Sequence, residues 1–343
     1  MPLEPRSAAR PGWILPALLA LALTLAAAPV RAEDPPAKPK DPLLIGLYPA
    51  SVDCVVDADT IKVGEKRESV RIMAVDSEEL FREDSDREAA AKDFAAYAKA
   101  KRGESKYPVK YGTPAGEAAR EFVKGLMDGV THIRLERDAV GDRAKGTYGR
   151  LLGHVFLVKP GGDVLLSEAL IRAGHSPYFN KYGRSRRFDA RLNAAQAEAR
   201  KAERGIWGKD GPAHYPDYEE RVRWWTKRAD LVDRWRAVAA KPDHVTLGAP
   251  DADAKLKALI GKEAVVFGVF DRELKVSSGT QRVFLLSHER RRGFPFVVFD
   301  PKVAATLDLE ELGAWQVTLR GKITLYKERP QMVIESPTQI STR

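Results

Sequence analysis

Short apolar runs bounded by turn residues occur in two separate sets along the chain, and they constrain its fold more than any other feature. Runs rich in Val, Ile and Leu between charged turns are typical of β-strands. The first set comprises residues 51–63, 69–75, 131–136 and 150–158. Residues 115–127 interrupt it with apolar residues at helical spacing, and two further helices are predicted at 164–173 and 188–204. This order predicts a five-element β-barrel with helical additions.

The second set lies near the end of the chain and predicts another small β-barrel. Its five apolar runs are residues 264–270, 282–286, 294–299, 315–325 and 331–334. Between the two sets, residues 212–240 carry apolar side chains at helical spacing and predict a helical connector. The predicted fold class is therefore mainly β with helices (α+β), with two small barrels joined by a helix.

The N-terminus has the pattern of a secretory signal. Arg6 and Arg10 form a basic region, residues 13–28 are almost wholly apolar, and small residues precede Glu33. This apolar run holds 16 residues, fewer than the roughly 20 needed to span a bilayer, so cleavage is favoured over anchoring. We expect a protein exported to the periplasm or the medium, without a stable membrane anchor and monomeric.

Composition narrows the class of partner. The chain has 343 residues with 57 Lys or Arg and 48 Asp or Glu, a formal charge of +9. This basic bias favours anionic partners such as nucleic acid or acidic lipid. Membrane-surface binding is disfavoured because no basic amphipathic helix with a clear apolar face is visible. The single cysteine, Cys54, lies in an apolar run and is interpreted as a buried side chain without chemistry.

Acidic residues cluster after the first two predicted strands, close to two arginines in the sequence pattern. The acids are Asp57, Asp59, Asp76, Glu78 and Glu79. Arg71 precedes Asp76 on the second strand, and Arg150 begins another strand. Converging carboxylates suit a hard cation, and arginine binds phosphate through paired donors. Strict alternation places Arg71 and Asp76 on opposite faces, so the hypothesis requires a bulge or a strand end between them.

Six ordered blocks resemble the staphylococcal nuclease-like (thermonuclease) domain over about residues 45–208. The blocks are VVDADTIKV, RIMAVDSEE, GEAAREFV, TYGRLLGHVF, LLSEALIRAG and EARKAERGIWG. The resemblance implies a Ca²⁺-dependent phosphodiesterase on an OB-type barrel that acts on DNA and RNA.

The resemblance also implies a role for individual residues. It implies that calcium is bound by Asp59, Asp76 and the backbone carbonyl of Ser77, with Asp57 in support. Glu79 would activate or orient the attacking water, while Arg71 and Arg150 would hold the phosphate and stabilise the charge of its transition state. The implied substrate-binding residues are Tyr148, which would contact the nucleotide, and Tyr178 or Tyr182, either of which would stack on a base.

The sequence departs from the family pattern near the implied metal. Ala58 replaces a glycine, and Ser77 and Glu78 replace a threonine and a proline. We expect Glu78 to add flexibility and charge beside the metal. A charged insertion, residues 80–114, is longer than in compact members of the family, and we expect a mobile segment with some helix that affects substrate access.

The C-terminal region resembles OB-fold nucleic-acid-binding domains, such as those that accompany tRNA synthetases and exported nuclease-like proteins. The segments LIGKEAVVFGVF and WQVTLRGKITLYKERPQMVIESPTQI carry this resemblance. Two interpretations remain open for its cations and aromatic residues: a basic groove with stacking platforms, or a core with a solvated arginine loop. The cations are Lys275, Arg282, Arg290, Arg291, Arg292, Arg320, Lys322 and Lys327, and the aromatic residues are Phe294, Phe296 and Tyr326.

The predicted organisation follows from these patterns. It comprises a signal peptide (1–32), a Pro-rich tether (33–44), the nuclease-like domain (45–208), the connector and linker (209–250) and the OB-like domain (251–343). We expect an exported Ca²⁺-dependent endonuclease acting on DNA and/or RNA. The alternative is a catalytically inactive tandem of barrels that binds nucleic acid or protein.

Overall fold

The computed structural model describes residues 41–146, 149–209, 215–274, 282–289, 292–307 and 316–342. The predicted signal peptide and most of the tether lie outside these residues. None of the helices in the described ranges is both long and apolar enough to cross a membrane.

The first set of strands forms the first barrel, a mixed sheet built around one apolar core. Its strands are β1 (Leu44–Pro49), β2 (Thr60–Val63), β3 (Glu68–Ile72), β4 (His132–Glu136), β5 (Leu151–Val158) and the short β6 (Val164–Leu165). The strand order is β1-β4-β5-β3-β2, with β6 paired to β5. The β3 and β5 strands are parallel, and the other neighbours are antiparallel. Buried Val and Leu side chains from β3, β4 and β5 fill the core.

Helices lie between and after these strands, and two of them belong to the predicted insertion. They are α1 (Asp84–Lys92), α2 (Phe94–Arg102), α3 (Pro114–Leu126), α4 (Leu166–Arg172) and α5 (Asp189–Lys201). Thr113 caps α3 by accepting a hydrogen bond from the backbone N–H of Gly116. The insertion contains the two helices α1 and α2, and Tyr97 and Tyr111 are buried in its own small apolar cluster. It is therefore more ordered than the sequence predicts.

The segment 51–63 corrects one sequence expectation. It is not a continuous strand: a 3-10 turn occupies Val52–Cys54, bends follow, and β2 begins only at Thr60. Cys54 is buried, as predicted, and burial raises the pKa of its thiol.

The second set of strands closes into a five-stranded barrel. The elements are α6 (Tyr218–Val238), β7 (His244–Thr246), α7 (Ala252–Ala258), β8 (Glu263–Leu274), β9 (Arg282–Glu289), β10 (Arg292–Val298), α8 (Pro301–Ala305), β11 (Gln316–Tyr326), β12 (Arg329–Ile334) and β13 (Ile340–Ser341). Pairing runs β8-β9-β10-β12-β11, and β11 pairs again with β8. The predicted α+β class with OB-type barrels is confirmed.

The connector helix α6 contacts both barrels. Trp235 stacks on Phe267 of β8 with ring centroids 4.9 Å apart, and its indole N–H donates to Thr246 Oγ1 at 2.8 Å. Arg184, which follows α4 in the first barrel's domain, forms ion pairs with Asp230 and Asp233 of α6. The predicted connector is thus packed on both sides rather than acting as a free linker.

Candidate active site

Arg71 joins two of the predicted metal ligands. Its guanidinium forms an ion pair with Asp59 Oδ1 and lies 2.7 Å from Asp76 Oδ1. Strand pairing explains the proximity, because Thr60 of β2 lies opposite Arg71 of β3 and Asp59 directly precedes Thr60. All three side chains are largely buried, with 18%, 9% and 9% of their surfaces exposed. The structure therefore brings these three predicted site residues together.

The chain turns between Arg71 and Asp76 as the hypothesis requires. The β3 strand ends at Ile72, and Ala74 has a left-handed backbone with φ of 68°. The side chain of Arg71 reaches across this turn and donates to the carbonyl of Val75 at 3.1 Å. Strand alternation no longer applies after Ile72, so Asp76 can face the arginine.

Asp76 is held through its backbone as well as its carboxylate. Its N–H donates to Ser176 Oγ at 3.0 Å, and its carbonyl accepts from the hydroxyl of Tyr215 at 2.9 Å. Burial acts to raise the pKa of the Asp76 carboxyl, but the charges of Lys110 and Arg71 outweigh it and lower that pKa. Asp76 therefore stays ionised, which a cation ligand requires.

Asp57 supports Asp59 through the backbone. Residues 57–59 form a bend, although the sequence predicts a strand over residues 51–63, so the two aspartates do not lie on a strand. Instead, the Asp57 carboxylate accepts a hydrogen bond from the backbone N–H of Asp59 at 3.0 Å. Burial raises the pKa of Asp57, and the charge of Arg71 opposes that rise. This contact orients Asp59.

Lys110, from the insertion, lies among the acids and was not predicted. Its ammonium is 2.9 Å from Asp76 Oδ1, 3.0 Å from the carbonyl oxygen of Ser77 and 3.6 Å from Glu79 Oε1. Sequence patterns gave no signal for it, because it is one of many cations in a charged segment. The structure brings Glu79 and the Ser77 carbonyl to the same side chain as Asp76.

Glu79 is fixed at the N-terminal end of α3. Its carbonyl accepts a hydrogen bond from the Thr113 N–H at 3.0 Å, while its side chain remains 42% exposed. Gly116 packs against this carbonyl so closely that a Cβ would lie 2.1 Å from the Glu79 oxygen. The glycine of the GEAAREFV block therefore permits α3 to approach the site.

Glu78 contradicts its sequence expectation. It is 2% exposed and forms an ion pair with Arg221 of α6 at 2.5 Å, so it adds neither flexibility nor a free charge. Burial raises the pKa of its carboxyl to about 7, with the Arg221 charge acting in the opposite direction. A second donor of Arg221 reaches the carbonyl of Val109 at 3.3 Å. Arg221 of the connector helix thereby binds both the Glu78 carboxylate and the backbone of Val109 near the end of the insertion.

Arg150 lies outside this cluster of ion pairs. It is exposed and precedes Leu151, which pairs with Val70 of β3, while Leu152 pairs with Arg71. The parallel register therefore puts Arg150 near the same edge of the barrel as Arg71. Tyr148 lies outside the described residues.

The two remaining tyrosines have different environments. Tyr178 is 5% exposed, and its hydroxyl donates to Asp189 at 2.8 Å and accepts the Ser185 N–H at 2.9 Å. Tyr182 is 57% exposed. Of the two alternatives for stacking on a base, only Tyr182 presents its ring. Both tyrosines and Arg71 line one shallow pocket, which is completed by Ile72, Met73, Ala74, Leu152, His154, Phe179, Gly183 and Ser185.

The fit of a calcium ion depends on these oxygen atoms. Within the described ranges, no three His, Cys, Asp or Glu side chains converge as a metal site. However, the predicted ligands include a backbone carbonyl, and oxygens of Asp76, Ser77 and Glu79 surround the Lys110 ammonium. Carboxylate and carbonyl oxygens are the donors that Ca²⁺ prefers. The donor chemistry fits a hard cation, at the position where Lys110 now supplies the positive charge.

Two comparisons bear on this arrangement. Residues 69–209 match the family model described as staphylococcal nuclease homologue. Endonuclease YhcR of Bacillus subtilis (strain 168) is 27% identical over 190 residues, which cover 54% of this chain and 14% of that protein. The chain thus contains a staphylococcal nuclease homologue domain, and it matches about one seventh of the relative's length.

Proposed function

Because residues 69–209 form a staphylococcal nuclease homologue domain, we propose that the chain is a calcium-dependent nuclease that hydrolyses phosphodiester bonds of DNA and/or RNA. The observation that carries the proposal is the convergence of Asp59, Asp76 and Arg71 beside Glu79 at the end of one barrel. A relative named as an endonuclease supports the same reaction class.

Each side chain has a defined task in this proposal. Glu79 is 42% exposed at the edge of the cluster, where it can accept a proton from the attacking water. Arg71 and Arg150 donate hydrogen bonds to the phosphate and stabilise the charge that develops on it. Calcium, when bound, would supply positive charge against the phosphate oxygens. The Asp59 and Asp76 carboxylates and the Ser77 carbonyl would hold it, with Asp57 in support.

Cleavage of single-stranded DNA and RNA tests the proposal. We expect cleavage by the purified protein with Ca²⁺ and none with chelator. Glu79→Gln and Arg150→Ala should each lower kcat by at least about 100-fold, the usual range for a lost general base or charge-stabilising donor. Glu104→Gln and Arg223→Ala remove the same groups at exposed positions in the insertion and on α6, and they should cleave normally.

A second candidate function is a binding module without catalysis. The observation that favours it is the neutralisation of the acids by Arg71 and Lys110, which leaves the cluster stable without added cation. Absence of cleavage under every metal condition, with binding to single strands retained, would contradict the nuclease and support this alternative.

Export is also part of the proposal. The basic and apolar pattern of residues 1–32 supports secretion to the periplasm or the medium, with the protein acting there as a monomer. Fractionation of cells followed by N-terminal sequencing would locate the protein and the cleavage point, and light scattering would give its mass in solution.

A further inference from the structure

Lys110 contacts two of the three residues that are expected to hold the metal, Asp76 and Ser77. Its ammonium donates to Asp76 Oδ1 and to the Ser77 carbonyl, and it lies 3.6 Å from Glu79 Oε1. We propose that Lys110 is an internal cation that occupies the calcium position and must leave it when Ca²⁺ binds. The inference rests on the calcium dependence proposed above.

The backbone on both sides of Lys110 is anchored, so the position of its side chain is built into the fold. Tyr111 is buried and packs edge-on against Tyr97, with ring centroids 5.5 Å apart. The Tyr97 hydroxyl donates to the carbonyl of Gly112 at 2.9 Å. On the other side, Arg221 donates to the carbonyl of Val109 at 3.3 Å. The insertion and α6 together therefore direct Lys110 at the acids.

The side chain itself can leave without disturbing this backbone. Lys110 is 33% exposed, and Arg71 is 18% exposed. A lysine ammonium sits on a flexible four-carbon stem, whereas a guanidinium that bridges two carboxylates is held in a rigid fork. Rotation of the Lys110 stem towards solvent frees the oxygens of Asp76 and Ser77 while the anchored segments stay in place.

Lysine and calcium cannot share these oxygens. An ammonium has three donors and no acceptor, so it cannot coordinate a cation. Calcium needs six to eight oxygens at about 2.3–2.6 Å, and the Lys110 ammonium fills the space between Asp76 Oδ1, the Ser77 carbonyl and Glu79 Oε1 that such an ion would take. Binding of Ca²⁺ and retention of Lys110 are therefore mutually exclusive, and the insertion sets the affinity of the metal site.

Calorimetric titration of the full protein with CaCl₂ tests this competition. Lys110→Met keeps the length of the side chain but removes its charge, so Ca²⁺ no longer displaces two charge-assisted hydrogen bonds. We expect Kd to fall by about ten-fold or more. Lys99→Met removes the same charge from an exposed position on α2 of the insertion and should leave Kd unchanged. An unchanged or weaker affinity in Lys110→Met would overturn the inference.

A second measurement follows the lysine directly. Amine-reactive labelling of the wild type, read by mass spectrometry, should modify Lys110 several-fold faster at saturating Ca²⁺ than with chelator, while Lys99 labels at one rate. Equal labelling of Lys110 with Ca²⁺ bound would show that the ammonium stays and would refute displacement. Neither readout uses cleavage: a protein that binds Ca²⁺ in this competitive way but cuts nothing would contradict the nuclease alone.

Discussion

Tyr178 and Tyr182 are separated by four positions, yet the structure gives their rings opposite surroundings. The Tyr178 ring is buried, and its hydroxyl is engaged by Asp189 and Ser185. The Tyr182 ring is 57% exposed and contacts Phe179 edge-on at 5.7 Å. An exposed aromatic ring that is braced by another suits stacking on a base.

Tyr182→Ala should therefore weaken binding of single-stranded substrate. A base stacked on an aromatic side chain contributes about 1–3 kcal/mol, so we expect Kd for a short oligonucleotide to rise roughly 5- to 150-fold. Tyr182→Phe keeps the ring and serves as the matched control, with a much smaller effect. Fluorescence anisotropy with Ca²⁺ present would measure this binding. Every protein compared would also carry Glu79→Gln, so that the oligonucleotide is bound without being cleaved. Equal affinity of the Ala and Phe variants would exclude stacking.

The residues of the site differ in how far sequence could predict them. Asp59, Arg71 and Asp76 belong to two adjacent strands and their turns, so local patterns and the family resemblance bring them together. Lys110 reaches Asp76 across 34 positions, and Arg221 reaches Glu78 across 143. No local periodicity marks such pairs, because they depend on how the insertion and α6 pack in three dimensions.

At the level of elements, α6 supports the site through the ion pair between Glu78 and Arg221. Both side chains are almost fully buried, with 0% and 5% of their surfaces exposed. Burying two charges costs desolvation energy, which the contact between them helps to offset. The loss of one partner therefore leaves an uncompensated charge in the interior.

Arg221→Met should lower the free energy of unfolding by about 3–5 kcal/mol, the usual cost of breaking a buried pair. Adding Glu78→Gln should recover part of this loss, because the orphaned carboxylate is removed. Urea unfolding of both single variants and the double variant gives the coupling energy between the two side chains. Arg223→Met, at an exposed position on the same helix, is the control. If the losses of unfolding free energy in the two single variants simply add in the double variant, the two side chains have no coupling energy and the expectation is wrong.

Sequence predicted the long helices and most strands well, because their apolar spacing reports a buried face directly. The α3 prediction of 115–127 compares with Pro114–Leu126 in the structure. The strand prediction for residues 51–63 is wrong because it follows their Val-rich composition. In the structure, the Asp57 carboxylate accepts a hydrogen bond from the backbone N–H of Asp59, and the chain bends there. Short polar side chains of this kind compete with strand pairing, and composition does not reveal which interaction prevails.

At the scale of the whole molecule, the two barrels share one strand order. In each, among the described residues, three consecutive strands are followed by one or more helices and then by two more strands, and the third strand pairs in parallel with the fifth. The second barrel presents exposed cations on β11, where Arg320 and Lys322 alternate with buried Leu319 and Ile323. Of its proposed stacking residues, Phe294 and Phe296 are core, and Tyr326 is 60% exposed.

The exposed face of β11, which carries Arg320 and Lys322, should contribute to substrate binding if the second barrel helps to hold nucleic acid. The double variant Arg320→Gln, Lys322→Gln should have a higher KM. The slope of the logarithm of its association constant for a single strand against the logarithm of salt concentration should become shallower by about 0.7 for each lost phosphate contact. The kcat should not change, because the cluster of acids is untouched. Lys241→Gln with Lys257→Gln removes the same charge from exposed positions outside β11 and is the control. Identical salt slopes in the two double variants would exclude this face.

The distance in sequence between Glu78 and Arg221 has a consequence for the newly made chain. Glu78 leaves the ribosome 143 residues before its partner, and Asp76 leaves 139 residues before Tyr215. At about 5–20 residues per second, translation separates Glu78 from Arg221 by about 7–30 s. During that interval Glu78 has neither Arg221 nor the rest of α6 beside it. The nascent site therefore matures only when the helix that follows its own domain has been synthesised.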